Sequence, residues 1–458
     1  MSGIRLRKGL VLGMVLALLA VMFAVSVPLN VSAYTTHAQI VIDGNGDFTA
    51  ANGVVSGSGM ESDPYVIKNW EIDGGGTGSG IYIKNTDAYF VVKNCYVYNT
   101  GSAYNEDAGI RLENVKNGEI KANTVYDNTE GMFINRSSNI VIKDNTVESN
   151  MWDGIWLNGS DECILKDNVC SNNDLSILLW YDSDNNIVKD NTCDPISWAM
   201  VIDQGSDNNM VSDNVISDCD YYGIYLGESS GNTLKNNDIL DIGYHGLYLT
   251  YTYDNTITGN TISDCGAYGI YCYATYYNEI SKNTITEIGR RGIYMAYWGA
   301  NEVVDNTISG AGWQCIWLYS IQYTTISGNY LTNADVNGIG IRESDYNTIS
   351  GNTITDNAEG IRLHIGCTGN TISENTITMN DYGIYLYYSG GSTFYHNNII
   401  KNTVQLYSEE STHTWDNGAG EGNYWSDYKG KDTDHDGIGD TDLPHAGVDY
   451  YPLMNKYI

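Results

Sequence analysis

Apolar positions along this chain recur two apart in short bursts, and each burst is closed by a polar turn. Residues 254–265 display the unit: Asp254-Asn255-Thr256-Ile257-Thr258-Gly259-Asn260-Thr261-Ile262-Ser263-Asp264-Cys265. A spacing of two is the strand period, and bursts this short leave no stretch for a helix. The unit then repeats. Asn145, Asn168, Asn191, Asn214, Asn237, Asn260, Asn283, Asn306, Asn329, Asn352, Asn375 and Asn398 stand 23 residues apart. A second column at the same spacing runs through Asn186, Asn209, Asn232, Asn255, Asn278, Asn301, Asn347 and Asn370, with Thr324 in the one gap. A third mark is Gly followed by Ile or Leu, at Gly223, Gly246, Gly269, Gly292, Gly338, Gly360 and Gly383.

A fixed period of this length is the mark of a solenoid. Three short strands fit in 23 residues, so the pattern predicts an all-β, right-handed parallel β-helix of about fifteen coils. At about 4.8 Å per coil the rod is on the order of 70 Å long. Alternation assigns the faces: in Ile224-Tyr225-Leu226 the aliphatic pair points inward and Tyr225 outward. The repeat asparagines are expected at turns, where Asn tolerates unusual backbone angles, and stacked so that each amide bonds the coils above and below. Both ends depart from the repeat, as a rod with open strand edges requires. Residues 34–80 read as an N-terminal cap with the first coil, 81–407 as the repeats, and 408–458 as a C-terminal cap.

Residues 1–33 have a different character. Arg5, Arg7 and Lys8 precede an apolar run from Leu10 to Val27, and Val31-Ser32-Ala33 supplies small residues for cleavage. That is the form of an export signal. It predicts an extracellular or cell-surface protein, with an uncleaved anchor as the alternative.

Composition narrows the partners. Lys and Arg number 23 against 56 Asp and Glu, a net charge of −33. Such a surface is unsuited to nucleic acid or to an anionic membrane. The nine cysteines fall largely in slots that are aliphatic in other repeats, as Cys170, Cys193, Cys219, Cys265 and Cys272 do. They read as core residues, although Cys170 and Cys193, one coil apart, also meet the spacing of a disulfide.

Three constellations carry candidate chemistry. Asp432, Asp434, Asp436, Ile438 and Asp440 space their oxygens as a tight calcium loop does. The same residues also suit a solvated acidic turn. Tyr225, Tyr248, Tyr271, Tyr294 and Trp317 fall at 23-residue intervals in the outward slot and predict an aromatic strip suited to sugar rings. Tyrosine's aptitude for strands accounts for them equally well. Arg342, Glu343, Glu359, Arg362 and His364 form a polar cluster on two adjacent coils, fit for binding a sugar carboxylate or for proton transfer, or simply for salt bridging.

With its G-I-x-L and N-T-I cores, its opening Asp63-Pro64-Tyr65-Val66-Ile67 and its closing Gly422-Asn423-Tyr424-Trp425-Ser426-Asp427-Tyr428, the chain resembles the right-handed β-helix repeat proteins of archaeal and bacterial surfaces. These include carbohydrate-binding proteins, sugar hydrolases and the NosD-like group named for periplasmic copper processing. The resemblance covers nearly all of 38–458 and is specific for fold rather than function. It implies a polysaccharide or surface glycan as partner. A polysaccharide lyase, hydrolase or epimerase is the alternative, and a passive envelope rod a second. The copper role does not carry over, because Met and His are scattered and three of the eleven methionines precede residue 34.

Overall fold

A computed structural model describes residues 34–458; the export signal expected over 1–33 lies outside the described residues. The chain winds into a right-handed parallel β-helix of three long sheets. Sheet 1 holds the G-I-x-L strands, 16 in all, such as Tyr222–Gly227 and His245–Thr250. Sheet 2 holds strands such as Thr256–Thr258, and sheet 3 strands such as Thr261–Cys265, with 17 strands each. All pairings in register between coils are parallel except Val54–Ser56 against Tyr65–Lys68 in the N-terminal cap. Among the described residues no helix is long and apolar enough to cross a membrane.

The core is a stack of aliphatic columns. Ile224, Leu247, Ile270, Ile293, Ile316 and Ile339 lie one above another in register and are fully buried. Each such side chain contributes roughly 1.5–3 kcal/mol on burial. The cysteines share this core: all nine are buried free thiols, and Cys170 and Cys193 are direct register partners. Small residues mark the corner where sheet 3 turns into sheet 1. A Cβ at Gly246 would meet Ile262 Cγ2 at 2.5 Å and the Gly269 carbonyl oxygen at 2.7 Å. Ser176, Ala199 and Cys315 occupy the same slot in other coils.

The asparagine ladder follows the 23-residue register with two departures from expectation. First, the ladder asparagines do not hold the unusual backbone angle. The residue before each one does, as at Asp144, Asp167, Asp190 and Asp213, with φ between 55° and 56°. The reason is that the ladder side chain must turn into the core to meet its neighbours, which the left-handed residue before it permits. Second, Asn398 is not in the ladder. The preceding coil is one residue short, so Asn375 donates its backbone N–H to Asn397 Oδ1, and Asn397 in turn to Asn423 Oδ1. Asn398 instead exchanges two hydrogen bonds with the backbone of Tyr457 and ties down the C-terminus.

Ring stacking fills both ends of the core. Phe48, Tyr65 and Phe90 close one end, and Phe394, Trp415 and Trp425 the other. Buried Asp449 organises the second end, accepting from Trp425 Nε1 (2.8 Å) and from the backbone of Asn423 and Tyr451.

One ladder position defines a test. Asn260 Oδ1 accepts from the backbone N–H and Nδ2 of Asn237, while Asn260 Nδ2 donates to the Leu234 carbonyl and Asn283 Oδ1. Asn260→Ala leaves several of these buried groups without partners, at about 1–3 kcal/mol each. It is expected to lower the denaturation midpoint clearly, whereas Thr261→Ala on the outer face changes it little. Equal midpoints for the two variants would contradict a stabilising ladder.

Candidate ligand-binding face

The outer face of sheet 1 brings the sequence-predicted aromatic residues together. Tyr225, Tyr248, Tyr271, Tyr294 and Trp317 are consecutive register partners. Ring centroids are 5.3 Å apart for Tyr225–Tyr248, 4.9 Å for Tyr248–Tyr271 and 5.1 Å for Tyr271–Tyr294. A second column lies beside the first: Trp198, Tyr222, His245, Tyr268 and Arg291, again in register. The two interleave, with Tyr222–Tyr248 at 5.2 Å, His245–Tyr271 at 5.1 Å and Tyr268–Tyr294 at 5.4 Å. The result is a part-buried aromatic platform along the rod.

Its polar members are shaped by the rings. His245 is buried between Tyr222, Tyr244 and Tyr268, and burial holds its imidazole down at about 3, so it stays neutral. Arg291 lies over the rings of Tyr268, Tyr294, Trp313 and Trp317, at 4.8–5.7 Å, and Arg291 Nε donates to Gln314 Oε1. Its burial lowers the guanidinium's affinity for its proton. The strip ends at Gly340, over which the Trp317 ring lies: a Cβ there would meet Trp317 Cε3 at 2.5 Å.

The sequence-predicted polar cluster divides into parts. Glu359 accepts from Asn337 Nδ2 and pairs with Arg362 at 3.2 Å, and Arg362 in turn lies 4.7 Å over the Tyr385 ring. Burial raises the Glu359 pKa against the opposing pull of Arg362. Arg342 and Glu343 form a separate, exposed pair at 3.1 Å, the kind that contributes little to stability. His364 stacks on Tyr387 at 5.4 Å. Both carboxylates of this cluster are thus engaged by their neighbours.

In the C-terminal cap, Asp432, Asp434 and Asp440 bring ligand atoms within 4.8 Å of one another. Asp432 accepts from the N–H groups of His435 and Gly437, and Asp440 from the N–H and hydroxyl of Thr433, which lower its pKa. Asp436 is outside that trio and accepts from the Ile438 N–H.

One acidic pair was missed from the sequence. Glu130 and Asp153 sit at the starts of successive sheet 1 strands, both buried, with Glu130 Oε2 accepting the Asp153 N–H at 2.9 Å. Burial, and each carboxyl's proximity to another acid, push both pKa values well above the usual carboxylate range. The signal in the sequence is a break in register. Tyr98 pairs with Tyr126 and Arg111 with Phe133, so one coil takes 13 residues over a path that the next covers in 7. The extra residues form the loop that covers Glu130, with the Glu130 N–H donating to the Asp107 carbonyl.

The fold and this outer face define a right-handed parallel β-helix, and comparison with known families agrees. The family described as right handed beta helix region matches residues 31–193. The family described as periplasmic copper-binding protein (NosD) matches residues 153–287 and 268–430, more than half of the chain, and the chain belongs to that family. No curated protein matches in sequence. Among solved structures, the chain is similar to the mannuronan C-5 epimerase AlgE6 A-module of Azotobacter vinelandii, at 15% identity and a TM-score of 0.35, over 74% of this chain and 90% of that one. It is similar to a mutant tailspike protein of E. coli bacteriophage HK620 in complex with hexasaccharide, at 11% identity and 0.44, over 70% and 67%. It is also similar to a mannuronic acid specific polysaccharide family 6 lyase from human gut microbiota, at 10% and 0.40, over 65% and 80%. These likenesses lie in the fold.

The residues present do not fit the copper of the family description. A copper site wants clustered thiolate, thioether or imidazole donors. The cysteines are dispersed through the core, where burial pushes thiols such as Cys272 up to about 12. His245, His364, His396 and His413 are each packed against aromatic rings in separate places. Among the described residues, the group of His, Cys, Asp or Glu side chains that gathers three ligand atoms is the all-carboxylate one in the cap.

The Glu130–Asp153 pair sets a pH dependence. A carboxyl whose folded pKa is raised contributes stability that is full below its ordinary range, about 4.5 for Glu, and is lost as pH rises toward the folded value. The melting temperature is therefore expected to fall between weakly acid and alkaline pH. Glu130→Gln, which keeps a neutral group of the same shape, is expected to flatten that slope. Parallel slopes for parent and variant would refute the assignment.

Proposed function

We propose that this chain is an exported β-helix protein that binds extracellular polysaccharide along the outer face of sheet 1. The observation that carries this reading is the double aromatic column from Trp198 to Trp317. Its rings are part-buried by one another yet present edges and hydroxyls outward, the mixture that suits the apolar faces and rim hydroxyls of a sugar chain. A repeat of about 4.8 Å between rungs offers successive contacts to a polymer laid along the rod. Export is supported by the charged-then-apolar segment ahead of residue 34 and by the periplasmic description of the family. The strongly acidic composition also favours a partner other than nucleic acid.

Calcium has a structural part in this proposal. The trio Asp432, Asp434 and Asp440 offers hard oxygen donors in the cap that closes the core. Bound there, a calcium ion would offset the mutual repulsion of these carboxylates.

Two measurements test these points. Glycan-array binding followed by calorimetry is expected to find a retained polysaccharide with no product released. Tyr271→Ala is expected to weaken that binding roughly tenfold, the scale of one aromatic contact, with an unchanged circular dichroism spectrum. Accumulating product, or no retained glycan, would overturn the reading. For the cap, adding calcium to chelator-treated protein is expected to raise the melting temperature by mass action. Asp434→Ala with Asp440→Ala should abolish the rise, and a parent curve indifferent to calcium would refute the site.

A further inference from the structure

The outer face of sheet 1 continues past the platform toward the N-terminus, and there it changes character. Phe133, Trp156 and Leu178 occupy the same outward column as Tyr225, yet they are only 3%, 5% and 7% exposed. They pack against one another and against Trp180 and Trp198, and the inserted loop before Ala108 covers part of the column. Tyr104 from this loop stacks on Trp156, with centroids 5.8 Å apart and planes at 25°, and Phe133 lies 4.5 Å from the same indole. Beside Tyr104 opens a pocket of about 480 Å³ floored by these rings, a volume suited to a small ligand.

The rim of the pocket is polar in a specific way. Asn158 Nδ2 donates to Asn135 Oδ1 at 2.9 Å, which leaves Asn158 Oδ1 and Asn135 Nδ2 without a partner among the described residues. Arg136, also on the rim, has no carboxylate within ion-pair distance among the described residues, in a chain with 56 acids. The indole N–H of Trp156 is buried and has no acceptor. An unmade hydrogen bond of that kind is costly. An apolar ligand would make no use of the guanidinium or the amides. A neutral sugar would engage the floor and the amides but not the charge.

We propose that this pocket is a binding site for one acidic pyranose, a sugar ring bearing a carboxylate. The ring lies against the accessible faces of Tyr104, Trp180 and Tyr181, which line the pocket with Phe133 and Trp156. Its hydroxyls meet the Asn135–Asn158 amides, and its carboxylate pairs with Arg136 in a charge-assisted contact. The choice of ligand rests on the glycan reading of this face, but the site has its own residues and its own geometry. A free uronate and the terminal residue of an acidic polysaccharide present the same chemistry to it.

The experiment measures binding of galacturonate, glucuronate and mannuronate, as monosaccharides and trisaccharides, against the corresponding neutral sugars, to the full exported chain by calorimetry and ligand-observed NMR. At least one acidic sugar is expected to bind tenfold or more tightly than its neutral counterpart. Arg136→Gln should erase that preference, and Tyr181→Ala, which removes an exposed ring of the lining, should weaken binding several-fold with an unchanged circular dichroism spectrum. Comparable binding by monosaccharide and trisaccharide identifies a free sugar as sufficient; binding by trisaccharide alone identifies a chain end. No acidic preference in any sugar, or a preference that survives Arg136→Gln, overturns the proposal. Acidic binding lost in Tyr271→Ala but kept in Arg136→Gln overturns the pocket and leaves the platform standing. Arg136-dependent binding in a protein that retains no polysaccharide upholds the pocket and removes the platform.

Discussion

The rest of the structure depends on a buried carboxamide meeting another one coil away. Asn145, Asn168, Asn191 and Asn214 each place an amide in the core, and each amide finds its acceptor and donors in the adjoining coils. A buried amide tolerates no partial match, because an unmade hydrogen bond there costs more than a made one contributes. The ladder thus fixes which residue lies above which. In a parallel stack that choice has large consequences, since a slip of one position exchanges every inward side chain for an outward one. The ladder also outlasts changes in coil length. It passes from Asn375 to Asn397 over 22 residues and from Asn397 to Asn423 over 26. The amides hold the alignment while the loops absorb the difference.

Once register is fixed, each outward position becomes a column, and the properties of a side chain come to depend on its column rather than on its neighbours in sequence. His245 loses its basicity because Tyr222 and Tyr268 stand directly below and above it. Arg291 is surrounded by aromatic rings because the residues of the next coils are Gln314 and Trp317. In a chain this acidic, arginines on sheet 1 are few. Arg291 is taken up by rings, Arg362 by Glu359 and Arg342 by Glu343. Arg136 differs in having neither kind of partner.

Much of this was legible in the sequence, and the physical reason is that a solenoid makes long-range contacts periodic. Contacts between Tyr248 and Tyr271 are tertiary, yet they appear as a simple spacing of 23. The aromatic strip could therefore be predicted residue by residue. The sequence was less informative where the repeat is degenerate. Asn397 and Asn398 are chemically identical, and only the one-residue shortening of the coil decides which enters the ladder. Likewise, the placement of the left-handed residue before the ladder Asn depends on the direction of the side chain, which spacing does not encode. The polar cluster looked like one site because Arg342, Glu359, Arg362 and His364 fall on adjacent coils. Arg342 and His364 share one column, whereas Glu359 and Arg362 lie in two others and pair with each other, so the cluster divides along the columns.

The least legible region is also the one with the most chemical asymmetry. A regular coil gives each outward residue much the same surroundings as the one above it. The insertion between Tyr98 and Arg111 stands off that lattice and shapes the pocket beside Tyr104. It carries Tyr104 onto the Trp156 ring and packs over Glu130 of the acid pair. The insertion has no repeat to be recognised by, and Glu130, Asp153 and Trp156 look like ordinary members of their columns until the loop is placed over them. In a structure built by repetition, the break in period is the place to look for a pocket, and the periodic face is the place to look for a surface that receives a polymer.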